Sequence, residues 1–190
     1  MSWLRKSGWK YSTGAGGGAS IEFMMATGGD IILTAPDERA QSFYYGGVGV
    51  GFGVGLKLPR IKLPKFTIPE IKMPKIAGRN VGGAGSTFDF PSGGAVFMTS
   101  AFRGDELTRS DLQGATVYLD GSAGVVVSQA GTVMLLGINS AKLAFGLTSP
   151  SRIWMAEEAI FQAPALLFMH GRSAGLQAGF GAGVLIGYMH

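Results

Sequence analysis

The sequence predicts one α+β domain over residues 1–190, predominantly β, with Gly-rich antiparallel strands, a short helix near 151–164 and a C-terminal glycine-zipper segment. Three observations lead there. Short apolar runs alternate with Gly, Pro and Asp turn signals through most of the chain. Glycine occupies 32 of 190 positions, far above the ~7% of ordinary proteins, and without the every-third-residue period of collagen. Charged residues make up 15%, against about 25% in a typical soluble domain.

Residues 1–20 end in Thr13-Gly14-Ala15-Gly16-Gly17-Gly18-Ala19-Ser20, which reads as an arm or loose turn too flexible for the interior of a regular element. Ile21 to Ala35 reads as two strands turning at Gly28-Gly29-Asp30, followed by the polar loop Asp37-Glu38-Arg39. From Phe43 to Leu56, Gly47, Gly49, Gly51, Gly53 and Gly55 alternate with Val48, Val50, Phe52, Val54 and Leu56. A period of two makes this a strand with one face bare of side chains, so the bare face must meet another backbone or leave room for something.

Residues 57–76 form a strap of four five-residue units, each with a proline at its third position: Pro59, Pro64, Pro69 and Pro74. That spacing forbids a helix and removes sheet donors, so an extended strap at an edge or surface is expected. Residues 57–79 carry seven basic side chains against the single acid Glu70, which concentrates a net charge that is only +4 over the whole chain. Further strands are expected at Ser86–Phe90, Ala95–Ala101, Ala115–Leu119, Gly124–Ser128 and Thr132–Leu136, with a solvated loop at residues 104–111. Ile153, Met155, Ala156, Ala159, Ile160 and Ala163 have helical spacing between Ser151 and Pro164.

Across residues 171–189, Gly171, Gly175, Gly179, Gly183 and Gly187 recur every fourth position. On a helix this makes a groove that another helix can approach closely, as in membrane helix pairs. The run Gly179-Phe180-Gly181-Ala182-Gly183 also alternates, which leaves a buried strand open as a reading. Phe43–Leu56, Gly121–Ile138 and residues 173–189 are three uncharged Gly-rich segments, each long enough for a membrane strand of ~9–11 residues. The strap suits anionic lipid headgroups through Lys57, Arg60, Lys62, Lys65, Lys72 and Lys75, or serves equally as a solvated linker. Nucleic acid is not expected, because only Phe66 interleaves aromatic character with the strap's basic charge.

Signals of catalysis are poor. Gly171-Arg172-Ser173-Ala174-Gly175 matches a hydrolase elbow, yet no acid follows Glu158 and the only later histidine is His190. Gly14-Ala15-Gly16-Gly17-Gly18-Ala19 loosely matches a dinucleotide loop but lacks a βαβ setting. With no cysteine and only His170 and His190, neither a metal site nor a cofactor is expected. Glu157 and Glu158 are consecutive, a placement for a solvated helix face rather than paired acid and base. The basic N-terminus is not followed by the ~7–15-residue apolar run of a signal peptide.

The glycine series Gly171, Gly175, Gly179, Gly183 and Gly187, with a second series in Gly47, Gly51 and Gly55, resembles that of the small glycine-zipper, pore-forming antibacterial effectors of type VI secretion systems. The resemblance implies a secreted toxin, loaded into a secretion tube without a signal peptide, that inserts into a target cell's inner membrane, self-associates and collapses the membrane potential through ion-conducting pores. It also implies a cognate immunity protein. The alternative is a non-enzymatic Gly-rich β-barrel that binds lipid or a membrane surface without forming a pore.

Overall fold

The computed structural model describes residues 4–21, 24–51, 62–64, 66, 93–119, 132–170 and 183–190. Eight strands dominate: β1 (Arg5–Ile21), β2 (Met24–Thr34), β3 (Ala40–Gly51), β4 (Gly93–Met98), β5 (Gly114–Leu119), β6 (Thr132–Ile138), β7 (Ala165–His170) and β8 (Gly183–Met189). They close into a barrel in the order β1-β2-β3-β8-β5-β6-β7-β4, every pair antiparallel. Three helices complete the described chain: α1 (Arg109–Leu112), α2 (Ser140–Leu147) and α3 (Ile153–Phe161), the last preceded by a 3-10 turn at Pro150–Arg152.

This corrects the expected α+β class. The C-terminal glycine-zipper segment is also corrected, because residues 183–189 form β8, paired with β3 on one side and β5 on the other. The glycines there sit at strand spacing, and closure of the barrel leaves no edge for a helix to replace. Two local expectations fall as well. Gly14 to Ser20 lies inside β1, and Gly28-Gly29-Asp30 lies inside β2 instead of turning. Gly16 pairs with Gly29 and Gly17 with Gly28, so the two glycine runs support each other as neighbouring backbones with nothing between them. The expected strands Ser86–Phe90 and Gly124–Ser128 lie outside the described residues.

Alternation along the strands sorts the apolar residues into two cores. Trp9, Tyr11, Leu33, Phe43, Val96, Met98, Met134, Leu136, Ala165, Leu167 and Met189 face inward and fill the barrel. Their neighbours Ala95, Phe97, Ala115, Val117, Val133, Leu135, Leu166 and Phe168 face outward and are buried by Leu143 of α2 and by Ala156, Ala159 and Ile160 of α3. One side of the barrel wall therefore has apolar side chains on both faces, which explains why β4 to β7 read as nearly continuous hydrophobic runs. The helices approach each other closely because Gly146 has no side chain; a Cβ there would overlap the backbone of Ala156.

Candidate functional site

The barrel has two unlike ends. Connections 35–39, 99–113 and 139–164 leave one end and contain twelve charged residues among 46. At the other end, connections 22–23, 120–131 and 171–182 contain only Glu22, Asp120 and Arg172 among 26 residues, and the fourth, 52–92, holds the basic strap.

The charged end is stoppered. The connection 99–113 puts Leu107 and Leu112 into the barrel interior, where the Trp9 indole N–H donates to Leu107 O at 2.8 Å. The Glu106 carboxylate accepts from the Ser7 hydroxyl, from Gly8 N–H at 2.7 Å and from Leu107 N–H at 2.9 Å. Burial alone pushes this carboxyl up, but those hydrogen bonds and the Arg5 guanidinium outweigh it and hold Glu106 below the usual carboxylate range. Arg109 ties the same connection to β3, donating to Gln41 Oε1 and Ser42 O while its guanidinium stands 4.5 Å over the Phe43 ring. Arg5 closes the corner by donating to Phe102 O and Gly104 O.

Toward the other end the interior changes character. Gly47 pairs with Gly187 and Gly51 with Gly183, so the described members of the two glycine series are rungs of one β3–β8 ladder. In parity they match Phe43 and Met189, which places them on the inward face. The Tyr45 ring lies over the bare Gly47–Gly187 pair; a Cβ at Gly47 would overlap Tyr45 Oη, and one at Gly187 would lie 2.5 Å from Tyr45 Cε2. The missing side chains thus make room for an aromatic ring inside a narrow barrel. Beside it, the buried hydroxyls of Tyr45 and Thr116 lie close together, a polar patch above an otherwise apolar filling, and burial pushes the Tyr45 phenol up to about 12.

Of the glycines singled out in the sequence, Gly47, Gly51, Gly183 and Gly187 are brought together, while Gly55, Gly171, Gly175 and Gly179 lie outside the described residues. Of the basic strap only Lys62 and its neighbours are described; Lys57, Arg60, Lys65, Lys72 and Lys75 are not. Lys62 is exposed and its backbone N–H donates to the Glu157 carboxylate at 2.9 Å, with Leu63 and Phe66 packed against the outer core. This part of the strap docks on α3. Sequence reasoning missed α2 and this docking. The signal for α2 was Asn139, whose side chain caps the helix by accepting from Lys142 N–H at 2.9 Å.

The carboxylates near the helices are occupied structurally. Glu158 pairs with Lys142 at 2.8 Å and accepts from Gln162, and the Lys142 hydrogen bond chiefly holds it below the usual carboxylate range. Ser173 lies outside the described residues. Among the described residues no cluster of His, Asp or Glu could hold a metal ion, and no helix is long and apolar enough to cross a membrane. The latter says nothing about crossing with strands.

Comparison with known proteins identifies the group. The chain is 34% identical to the toxin protein Tse4 of Pseudomonas aeruginosa, over 97% of this chain and 94% of that protein. The chain belongs to the Tse4 toxin family. No family profile matches it, and no solved structure matches it.

Proposed function

We propose that this chain is a secreted antibacterial toxin that acts without enzymatic chemistry, inserting its glycine-rich end into the inner membrane of a neighbouring cell and conducting ions there. The observation that carries this reading is a closed barrel with three charge-poor, Gly-rich connections at one end. A bilayer accepts backbone only when it is hydrogen-bonded internally, and closed β-sheet is one of two ways to achieve that. Here three of the four connections at one end carry only Glu22, Asp120 and Arg172, while the fourth, 52–92, holds the basic strap, which suits anionic headgroups. Kinship with a protein named as a toxin supports the harmful role, and a producer of such a toxin needs a cognate immunity protein. Delivery through a secretion tube follows from the resemblance to type VI effectors.

The conducting form must be wider than the barrel described here. Eight strands leave an interior just large enough for side chains, and this one is filled by Trp9, Phe43, Leu33, Met134 and Leu167. Conduction therefore requires self-association or opening of the wall in the membrane. The same filled interior favours a second reading, a barrel that binds a membrane surface and does not perforate it. Purified protein added to vesicles of phosphatidylethanolamine and phosphatidylglycerol loaded with a small dye separates the two: release supports the pore, whereas co-sedimentation without release supports the surface binder.

A further inference from the structure

We infer that the α2–α3 hairpin is a removable cover whose outer aromatic face docks on the bilayer and whose departure exposes a lipid-facing band on the barrel wall. The inference rests on the membrane-acting reading above and names the surface through which that action begins.

A helix on a soluble barrel normally presents one apolar stripe to the wall and polar residues to water. This hairpin is apolar on both sides. Its inner side, Leu143, Ala156, Ala159 and Ile160, is buried on the wall. On its outer side Trp154 is 57% exposed, Phe161 52%, Phe145 47% and Leu147 37%. Trp154 and Phe161 are seven residues apart on α3 and so share a face. Arg152 stands 4.4 Å over the Phe145 ring, adding a cation at the rim of the patch. Exposed Trp and Phe beside a basic residue suit the headgroup boundary of a membrane.

What the hairpin hides is equally suggestive. Beneath it lie Ala95, Phe97, Ala115, Val117, Val133, Leu135, Leu166 and Phe168, outward-facing side chains of four adjacent strands, all of them apolar. A membrane barrel carries such a band facing lipid. Among the described residues few polar ties hold the hairpin to its surroundings: the Lys62 N–H to Glu157 bond joins it to the strap, Thr99 donates to Ala163 O and Pro164 O just past its end, and Lys142, Glu158 and Gln162 bind one another within it. Exchanging the wall for lipid replaces one apolar contact by another on both the hairpin and the band, so the move conserves apolar burial while bringing Trp154, Phe161, Phe145 and Leu147 out of water.

The absence of cysteine from the chain allows single thiols to report on this. Val117→Cys places a thiol under the hairpin, and Ala165→Cys places one inside the barrel; both positions are fully buried. In solution both thiols should resist maleimides. With vesicles of phosphatidylethanolamine and phosphatidylglycerol, Val117→Cys should react with a lipid-soluble maleimide at the rate of an exposed thiol while Ala165→Cys stays protected. Protection of both thiols on vesicles that the same protein makes leak overturns the cover and leaves the pore reading standing. Equal reaction of both thiols also overturns it, since the barrel has then come apart. Reaction at Val117→Cys alone without leakage supports the cover and counts against the pore. As a second measurement, the double substitution Trp154→Ser and Phe161→Ser should lower vesicle partitioning about 100-fold with an unchanged unfolding midpoint. Unchanged partitioning removes the docking face.

Discussion

The two ends of the barrel differ in how they use their polar groups. At the charged end, the side chains of Arg5, Glu106 and Arg109 are each bonded to another segment of the chain, and Leu107 and Leu112 fill the opening behind them. Toward the glycine-rich end the β3–β8 rungs Gly47–Gly187 and Gly51–Gly183 meet backbone to backbone. The lesson is that one end is fixed by specific bonds that work in water. The other relies on sheet hydrogen bonds, which hold equally well in a bilayer.

The largest expected effect comes from erasing that difference. Val126→Arg adds a charge to the connection 120–131, whose one charged residue is Asp120; on the proposed insertion a lipid-buried arginine costs about 2–4 kcal/mol near the bilayer centre. Dye release from vesicles should be abolished. Ser110→Asp, which adds a charge at the opposite end, should leave release unchanged. Equal loss from both variants breaks the distinction between the ends.

Next in size is the packing of the glycine rungs, read by denaturant unfolding. Gly187→Val must displace the Tyr45 ring and crowd Gly46 O, which lies only 2.7 Å from where the new Cβ would stand, so a loss of about 3 kcal/mol is expected. Gly46, one residue from the rung, has nothing within 4 Å of its Cβ position. Gly46→Ala should be neutral or stabilise by about 0.5 kcal/mol.

Glu106→Ala tests the charged end and should cost about 1–2 kcal/mol, because Gly8 N–H and Leu107 N–H lose their acceptor. The sign with pH is fixed by the direction of the shift. Glu106 titrates lower in the folded protein than its ordinary 4.5, so its contribution is present above that value and is lost as pH falls through the folded pKa. The difference between wild type and Glu106→Ala should therefore shrink on acidification below about 4.5. Smallest is Lys10→Ala, which removes an ion pair with Glu38 at 3.0 Å between well-exposed side chains and should leave the unfolding midpoint where it was.

Much of the strand content was legible because short apolar runs bounded by turn residues mark Ala115–Leu119 and Thr132–Leu136 clearly, and β5 and β6 lie there. The helical spacing after Pro150 corresponds to α3. Barrel closure was not legible, since it depends on β8 returning between β3 and β5, a pairing of residues far apart in sequence. The four-residue glycine spacing pointed to a helix because period four fits both a helical groove and every second inward position of a strand. Only the pairing with Gly47 and Gly51 separates them. Gly14 to Ser20 misled for a related reason: glycine is a poor strand former alone, and its partner run at Gly28-Gly29 supplies the register. At the candidate site, the bare face of β3 was foreseen, but the ring that occupies it was not, because Tyr45 sits on the same face two residues before Gly47.

The most direct measurement of the central claim is a planar-bilayer recording with the purified, full-length chain in a membrane containing phosphatidylglycerol. Discrete current steps should appear with wild type and be absent with Val126→Arg. A silent membrane at protein concentrations that bind it would contradict the account.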